Sequence, residues 1–311
     1  MKLLKLLLFA SFLSLFTQCC DCDDPVTAND STDVDPVELV YGCTDSNSFN
    51  FNPSADEDDG SCLEMLGCLG FSGGQFNSGS IGVTLNDPYY DQKMAEEVTI
   101  QRNFFNGIGA NVFILYEPSF QHRNAYASTN GQILFGIHMF YYTIENFNEL
   151  AAAGILAHEW GHRTQFTFGW TQGLSSAAVE LEADAFSGYY MALAKGWAWS
   201  QIEGYYASTY ATGDYNYHSP NHHGTPNQRL SSAFLGVQTA IDAINNNTPY
   251  TYNELHEIFS TIIQTEILTS DLHDNNESTY RQIAQGVTRG PDISVPKEMD
   301  YERRSVYFPR E

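Results

Sequence analysis

Cysteine is missing from most of this chain. All six cysteines fall between Cys19 and Cys68, and the 243 residues that follow contain none. The bulk of the fold therefore needs no disulfide. Basic residues are scarce as well: 14 Lys and Arg stand against 38 Asp and Glu, a net charge of −24. Phosphate backbones are held by basic patches. None is visible here, which argues against a nucleic-acid partner. Apolar runs are short. "LLLFASFLSLF" near the start has 11 residues, too few to span a bilayer as a mature helix. No long internal repeat is evident. What is present is 42% hydrophobic content over 311 residues, enough for one core of roughly 150–250 residues with additions.

Lys2 and Lys5 precede the apolar run. A charged start and a short apolar core have the form of a secretory signal, here residues 1–18. "TQCCDC" follows, with no A-x-A cleavage site. A cysteine directly after a signal core resembles the lipobox of bacterial lipoproteins, whose first mature cysteine carries lipid. That resemblance makes Cys19 the acceptor, although Phe16 and Gln18 depart from the usual residues. It implies an exported protein attached to the outer membrane or cell surface through lipid. Simple secretion is the alternative. Asp21, Asp23 and Asp24 resemble the surface-export tags of some Bacteroidetes lipoproteins.

Between Asp21 and Glu64 there are 13 acidic residues and no Lys or Arg. Residues 19–40 read as a solvated acidic spacer. Residues 41–68 form a cysteine-bounded acidic module, with "YGCTDSNSFNFNPSADEDDGSC" at its centre. This resembles a short module of secreted marine Bacteroidetes proteins that runs GCTD, N-x-N-P, DDGSC. The resemblance implies a Cys43–Cys62 disulfide, worth roughly 3 kcal/mol to so small a loop. Asp45, Asp56, Asp58 and Asp59 offer hard oxygen ligands for Ca2+. The alternative is a charged, disulfide-closed bead without metal.

Residues 69–90 are rich in Gly, Ser and Asn and read as a linker or entry segment. From Asp91 the texture is that of a folded domain, expected over 91–270. "DQKMAEEVTIQRNFFNGI" has helical spacing, and "ANVFILYEP" is a short buried strand. "NAYASTNGQILFGIHMFYY" reads as a hairpin or edge strand turning at Asn130-Gly131. Then come helices only. One covers about 147–166 with Asn148 as N-cap, and one starts at Ser175 or Ser176 and ends near Gly196. Three more follow in "WSQIEGYYASTYAT", "NQRLSSAFLGVQTAIDAIN" and "YNELHEIFSTIIQTEI". Residues 271–311 are a polar tail without an assigned role. The order gives an α+β, helix-dominated fold.

Within the first of these long helices stands "ILAHEWGHRTQ". His158 and His162 are four apart, so both rings leave one helical face and can bind a single ion. Glu159 lies about 100° around the helix, beside that ion without ligating it. A bound zinc acidifies a water to near neutral pH, and such a glutamate can take its proton. Gly161 costs about 1 kcal/mol in mid-helix, which suggests a close neighbour. The plain alternative is a histidine pair on an ordinary helix face. An intramembrane protease also uses HExxH, but "LAAAGILA" is only eight residues long and no spanning helix surrounds it.

Catalytic zinc takes a third protein ligand and keeps a fourth position open. "ELEAD" begins eighteen residues after His162. Glu180 and Asp184 share a face, while Glu182 points roughly 200° away from Glu180. Glu180 is the third ligand on this reading, and Asp184 accepts the free ring N–H of His158. Ala177, Ala178, Ala183 and Ala185 keep the second helix thin. "HHGTPNQR" follows at 222–229, with Thr225 as N-cap and Pro226 opening a helix. His223 can donate to an oxyanion there, or be a loop histidine.

"LAHEWGHRTQ", "VELEADAFSGYYMA" and "HGTPNQRLSSAFLG" together resemble three blocks of the neutral zinc metallopeptidase family of bacteria. The match covers roughly residues 120–240, about two fifths of the chain. It implies a zincin-like domain whose short-stranded edge sheet lines the cleft beside the HExxH helix. It also implies a gluzincin-like site, with His158, His162 and Glu180 on one catalytic Zn2+ and Glu159 as general base. Arg163 and Ala185 depart from the family's His and Cys, and its Cys-rich block before the strand is absent. The expected activity is hydrolysis of peptide bonds in a peptide or protein substrate. The alternative is a noncatalytic surface module with a degenerate metallopeptidase fold and a structural metal. Oligomeric state is not readable from the sequence.

Overall fold

The computed structural model describes residues 39–44, 52–60, 65–67, 80–195, 203–219, 222–269 and 301–311. The expected signal and Cys19, Asp45 and Cys62 lie outside them. Tyr41–Gly42 (β1) and Glu57–Asp58 (β2) pair in parallel. Cys43 beside them is buried and disulfide-bonded. Asp56 accepts from Val40 N, and Asp58 from Gly60 N. Both carboxylates thus serve their own loop. Among the described residues the acids of this module form no cation-binding cluster.

Met65–Gly67 (β3), Ser80–Gly82 (β4), Asn111–Tyr116 (β5), Ala125–Ser128 (β6) and Gln132–Gly136 (β7) make one sheet in the order β3-β6-β7-β5-β4. β5 and β7 run parallel and the other pairs antiparallel. The β-branched and aromatic content of NVFILY suits a pleated, half-buried strand. β6 and β7 join at Asn130-Gly131, where Gly131 takes φ 88°. The hairpin is not at an edge, however: β3 flanks β6, with Leu66 opposite Ala127. Between β4 and β5 lies Pro88–Phe104 (α1), capped by the Asp87 carboxylate and opened by Pro88.

Ile137–Asn146 (α2) corrects the sequence reading, which carries the hairpin on through IHMFYY. The content of that stretch favours a strand. Glu117 overrides it. Its Oε2 accepts from His138 N at 2.8 Å and its Oε1 from Asn124 N at 3.1 Å, an anionic anchor for the first helical turn. Met139, Phe140 and Thr143 then turn inward together.

Glu149–Phe168 (α3) and Ser176–Leu193 (α4) carry the histidine and ELEAD motifs. Asn148 caps α3 and Ser175 caps α4, each accepting a backbone N–H three residues on. Arg163 ties α3 to the sheet, donating from Nη1 to Ser128 O at 2.6 Å and from Nη2 to Gly109 O at 3.2 Å. Every α4 residue from Ala177 to Leu193 is buried. After Glu203–Ala211 (α5), Pro226–Asn245 (α6) opens with a Thr225/Gln228 capping box. Small residues bring these helices close. A methyl on Gly161 would lie 2.9 Å from Ala183 Cα, and one on Gly188 only 2.0 Å from Ala233 O. Tyr252–Ile262 (α7) runs on into a π-helical turn, Ile263–Ile267.

Residues 301–311 are not a loose tail. Tyr301–Ser305 (α8) leads to Tyr307 and Phe308, both buried. The Phe308 ring centre is 4.7 Å from that of Phe104, and Tyr189 OH donates to Tyr307 O at 2.8 Å. β3 and β4 lie in the sheet as well, so described residues on both sides of 91–270 pack with it. The described residues from Leu39 to Glu311 form one compact unit. It is α+β and helix-dominated. No described helix is long and apolar enough to cross a membrane.

Candidate metal centre

One helical turn separates His158 and His162 on α3, and their ring centres lie 4.5 Å apart. α4 runs alongside because Gly161 lets Ala183 approach. That approach delivers Glu180. His158 Nε2 is 3.3 Å from Glu180 Oε2, and His162 Nε2 is 3.3 Å from Glu180 Oε1. Ligand atoms of all three residues lie within 4.8 Å of one another. All three side chains are buried, and this is the one such group among the described residues.

The outer partners decide which ring nitrogens face inward. His158 Nδ1 lies 2.9 Å from Asp184 Oδ1, the contact expected from the shared helix face. An ionised carboxylate only accepts, so Nδ1 carries a proton and Nε2 is the nitrogen whose lone pair a metal would take. His162 Nδ1 meets Gln165 Oε1 at 2.8 Å. Neither Nε2 atom has a hydrogen-bond partner, and neither does Glu180 Oε2. Buried polar atoms are seldom left so. Two imidazole nitrogens and a carboxylate converging without hydrogen bonds are a donor set that fits a metal ion.

Arg229 braces the carboxylates from α6. Its Nε donates to Asp184 Oδ2, its Nη2 to Asp184 Oδ1 at 3.0 Å, and its Nη1 lies 3.4 Å from Glu180 Oε2. Burial disfavours charge on Glu180, but the attraction of His162 and His158 prevails and holds its carboxyl well below the usual range. Burial also opposes charge on His158. The hydrogen bond of Asp184 and the attraction of the Asp184 and Glu180 charges outweigh it and raise the ring to about 9.

Glu159 is wholly buried on the turn between the two histidines. Tyr126, on β6, faces the charges of Glu117 and Glu159, and burial is the main cause that raises its hydroxyl. His223 is not in the ligand group. Its backbone N–H donates to Asp214 Oδ2 at 3.0 Å, and its Nδ1 lies 3.3 Å from the same oxygen. Burial keeps it neutral by pushing its pKa down, while the Glu180 charge works the other way. His222 takes the other Asp214 oxygen at 2.8 Å. The aromatics of 203–223 divide: Tyr205 and Tyr206 are core residues, and Tyr215 and Tyr217 are exposed.

Sequence reasoning missed Gln165, Arg229 and Tyr126. Gln165 stands three residues after His162, a spacing that puts it within reach on one helix face. Arg229 sits in the HGTPNQR block, but only the packing of α6 on α4 reveals its partners. Nothing in the sequence marks Tyr126. No family model, curated protein or solved structure matches the chain.

Proposed function

We propose that this chain is an exported zinc metallopeptidase with a zincin-like domain, acting on peptide or protein substrates. One observation carries the reading. Zinc bonds of about 2.0–2.1 Å in tetrahedral array set neighbouring donors roughly 3.3–3.4 Å apart. Each histidine Nε2 stands at that spacing from one oxygen of Glu180, His158 from Oε2 and His162 from Oε1, both at 3.3 Å. His158, His162 and Glu180 would hold the ion, and three protein ligands leave a fourth position.

When bound, zinc supplies a Lewis acid that acidifies water and polarises a carbonyl. The remaining work belongs to the chain. Glu159, beside the ligands and off their face, takes the proton of the attacking water. It then returns that proton to the leaving amine. Asp184 and Gln165 hold the ring tautomers, and Arg229 fixes the Glu180 and Asp184 carboxylates. His223 is the candidate donor to the oxyanion, a role that requires the proton on its Nε2. The resemblance of the three sequence blocks to neutral zinc metallopeptidases supports the same reading, and the signal and lipobox-like start support export with a lipid anchor.

Complete burial of the ligands favours a second reading, a noncatalytic surface module with a structural metal. Metal analysis beside a mixed-peptide cleavage assay, with and without chelator, separates the two. The peptidase reading expects about one zinc per chain and cleavage that chelator abolishes. Zinc-loaded protein that cleaves nothing would leave only the structural reading. Protein without affinity for zinc would end both.

A further inference from the structure

The lone pair that His162 offers depends on its other nitrogen, and that nitrogen depends on Gln165. A carboxamide has one accepting end and one donating end. Gln165 Nε2 donates to Val179 O at 2.8 Å and to Glu182 Oε2 at 2.9 Å. Both partners only accept, so the amide cannot turn over. Its Oε1 is held toward His162 Nδ1 at 2.8 Å. That nitrogen must then be the N–H, and Nε2 is left to face Glu180.

Glu182 is the pivot. It is 1% exposed, an uncommon place for a carboxylate unless it is partnered. Its second oxygen accepts from His256 Nδ1 on α7. His256 in turn lies flat against Trp170, ring centres 4.1 Å apart and planes 7° from parallel. A continuous chain of bonds runs from the partly exposed His256 through Glu182 and Gln165 to His162. His158 is held differently: Asp184 reaches it directly, braced from behind by Arg229.

We infer that Gln165 and Glu182 are positioning residues for the metal centre, with His256 as their outer anchor. They act through His162 and touch neither ion nor substrate. The inference rests on the metal-centre reading, and its content is polarity: an acceptor must face His162 and a donor must face position 182. Loss of such outer partners typically weakens metal binding about 10–100-fold.

Cobalt titration of the full chain, stripped of metal and followed by visible absorption, tests this. Gln165→Glu sets two carboxylates against each other and should weaken Co2+ binding about 10–100-fold. Adding Glu182→Gln restores a donor facing an acceptor at position 182 while Val179 O still faces an acceptor, so the double variant should regain at least about threefold of the lost affinity. Gln165→Met removes both bonds and should also weaken binding about 10–100-fold; it serves if the glutamate variant does not fold. A merely structural role predicts lower melting temperatures with no recovery of affinity in the double variant. That result, or Gln165→Met binding within about threefold of the parent, would overturn the inference. A parent chain that binds no cobalt would instead bring down the metal-centre reading beneath it.

Discussion

Gly161→Ala probes whether the α3–α4 approach sets the ligand spacing. The added methyl would lie 2.9 Å from Ala183 Cα, 3.1 Å from its carbonyl oxygen and 3.2 Å from its Cβ. Carbon atoms in contact sit about 3.5 Å apart or more, so the helices must separate by roughly 0.6 Å. Alanine recovers about 1 kcal/mol of helix propensity, while overpacking costs about 1–3 kcal/mol. The net loss is about 1 kcal/mol, roughly 2–4 °C of melting temperature for a domain of this size. Metal affinity should suffer more in proportion. Donor positions tolerate shifts of about 0.2 Å, and both 3.3 Å spacings cross this helix pair. We expect cobalt binding to weaken about tenfold, or ~1.4 kcal/mol. Gly188→Ala is the control. It presses on α6 at 2.0 Å from Ala233 O, so it should cost more stability, and it reaches the ligands only through Arg229 on that helix, so it should weaken cobalt binding less than Gly161→Ala does. Melting of the metal-free variants and cobalt titration read both quantities. A Gly161→Ala chain that binds cobalt like the parent would refute the reasoning.

Three further outcomes follow from the same contacts. His158 in the metal-free chain is raised to about 9, above its ordinary 6.5. Its stabilising contribution is therefore complete below about pH 6.5 and lost as pH rises through about 9. Melting temperature of the metal-free chain should fall across that window, and zinc uptake near pH 7.5 should release about one proton, measured by calorimetry in buffers of different ionisation heat; uptake without proton release would contradict it. Asp184→Ala strips the Arg229 guanidinium of its main partner and should cost about 3–5 kcal/mol in denaturant unfolding, whereas a loss below about 1 kcal/mol would show that the bracing is idle. Phe308→Ala empties a place beside Phe104 and should cost about 3–5 kcal/mol; an unchanged urea midpoint would mean that residues 301–311 do not belong to the core.

The candidate ligand group was legible because its geometry is local. His158 and His162, and Glu180 and Asp184, are i, i+4 pairs on helices whose caps, Asn148 and Ser175, stand in the sequence. A helical wheel says which side chains share a face. It does not say what that face meets. Glu182 illustrates the limit: it does turn away from Glu180, and it turns into Gln165 and His256. Arg229 and Glu117 were invisible in the same way, since Asp184 lies 45 residues from Arg229 and His138 lies 21 from Glu117. Glu117 also explains why a stretch of strand-forming residues became α2. β3 and β4 have three residues each, too short for periodicity to register. Residues 301–311 look polar overall, and only their docking on Phe104 and Tyr189 makes them part of the fold.

Glu159→Gln tests the central claim most directly. The substitution keeps the shape of the side chain and all three ligands while removing the base. Zinc content and cleavage of a mixed peptide library would be measured on the same preparation, against the parent chain. The account predicts about one zinc per chain in both and cleavage reduced roughly 100- to 10,000-fold in the variant. Undiminished cleavage by the zinc-loaded variant would contradict it.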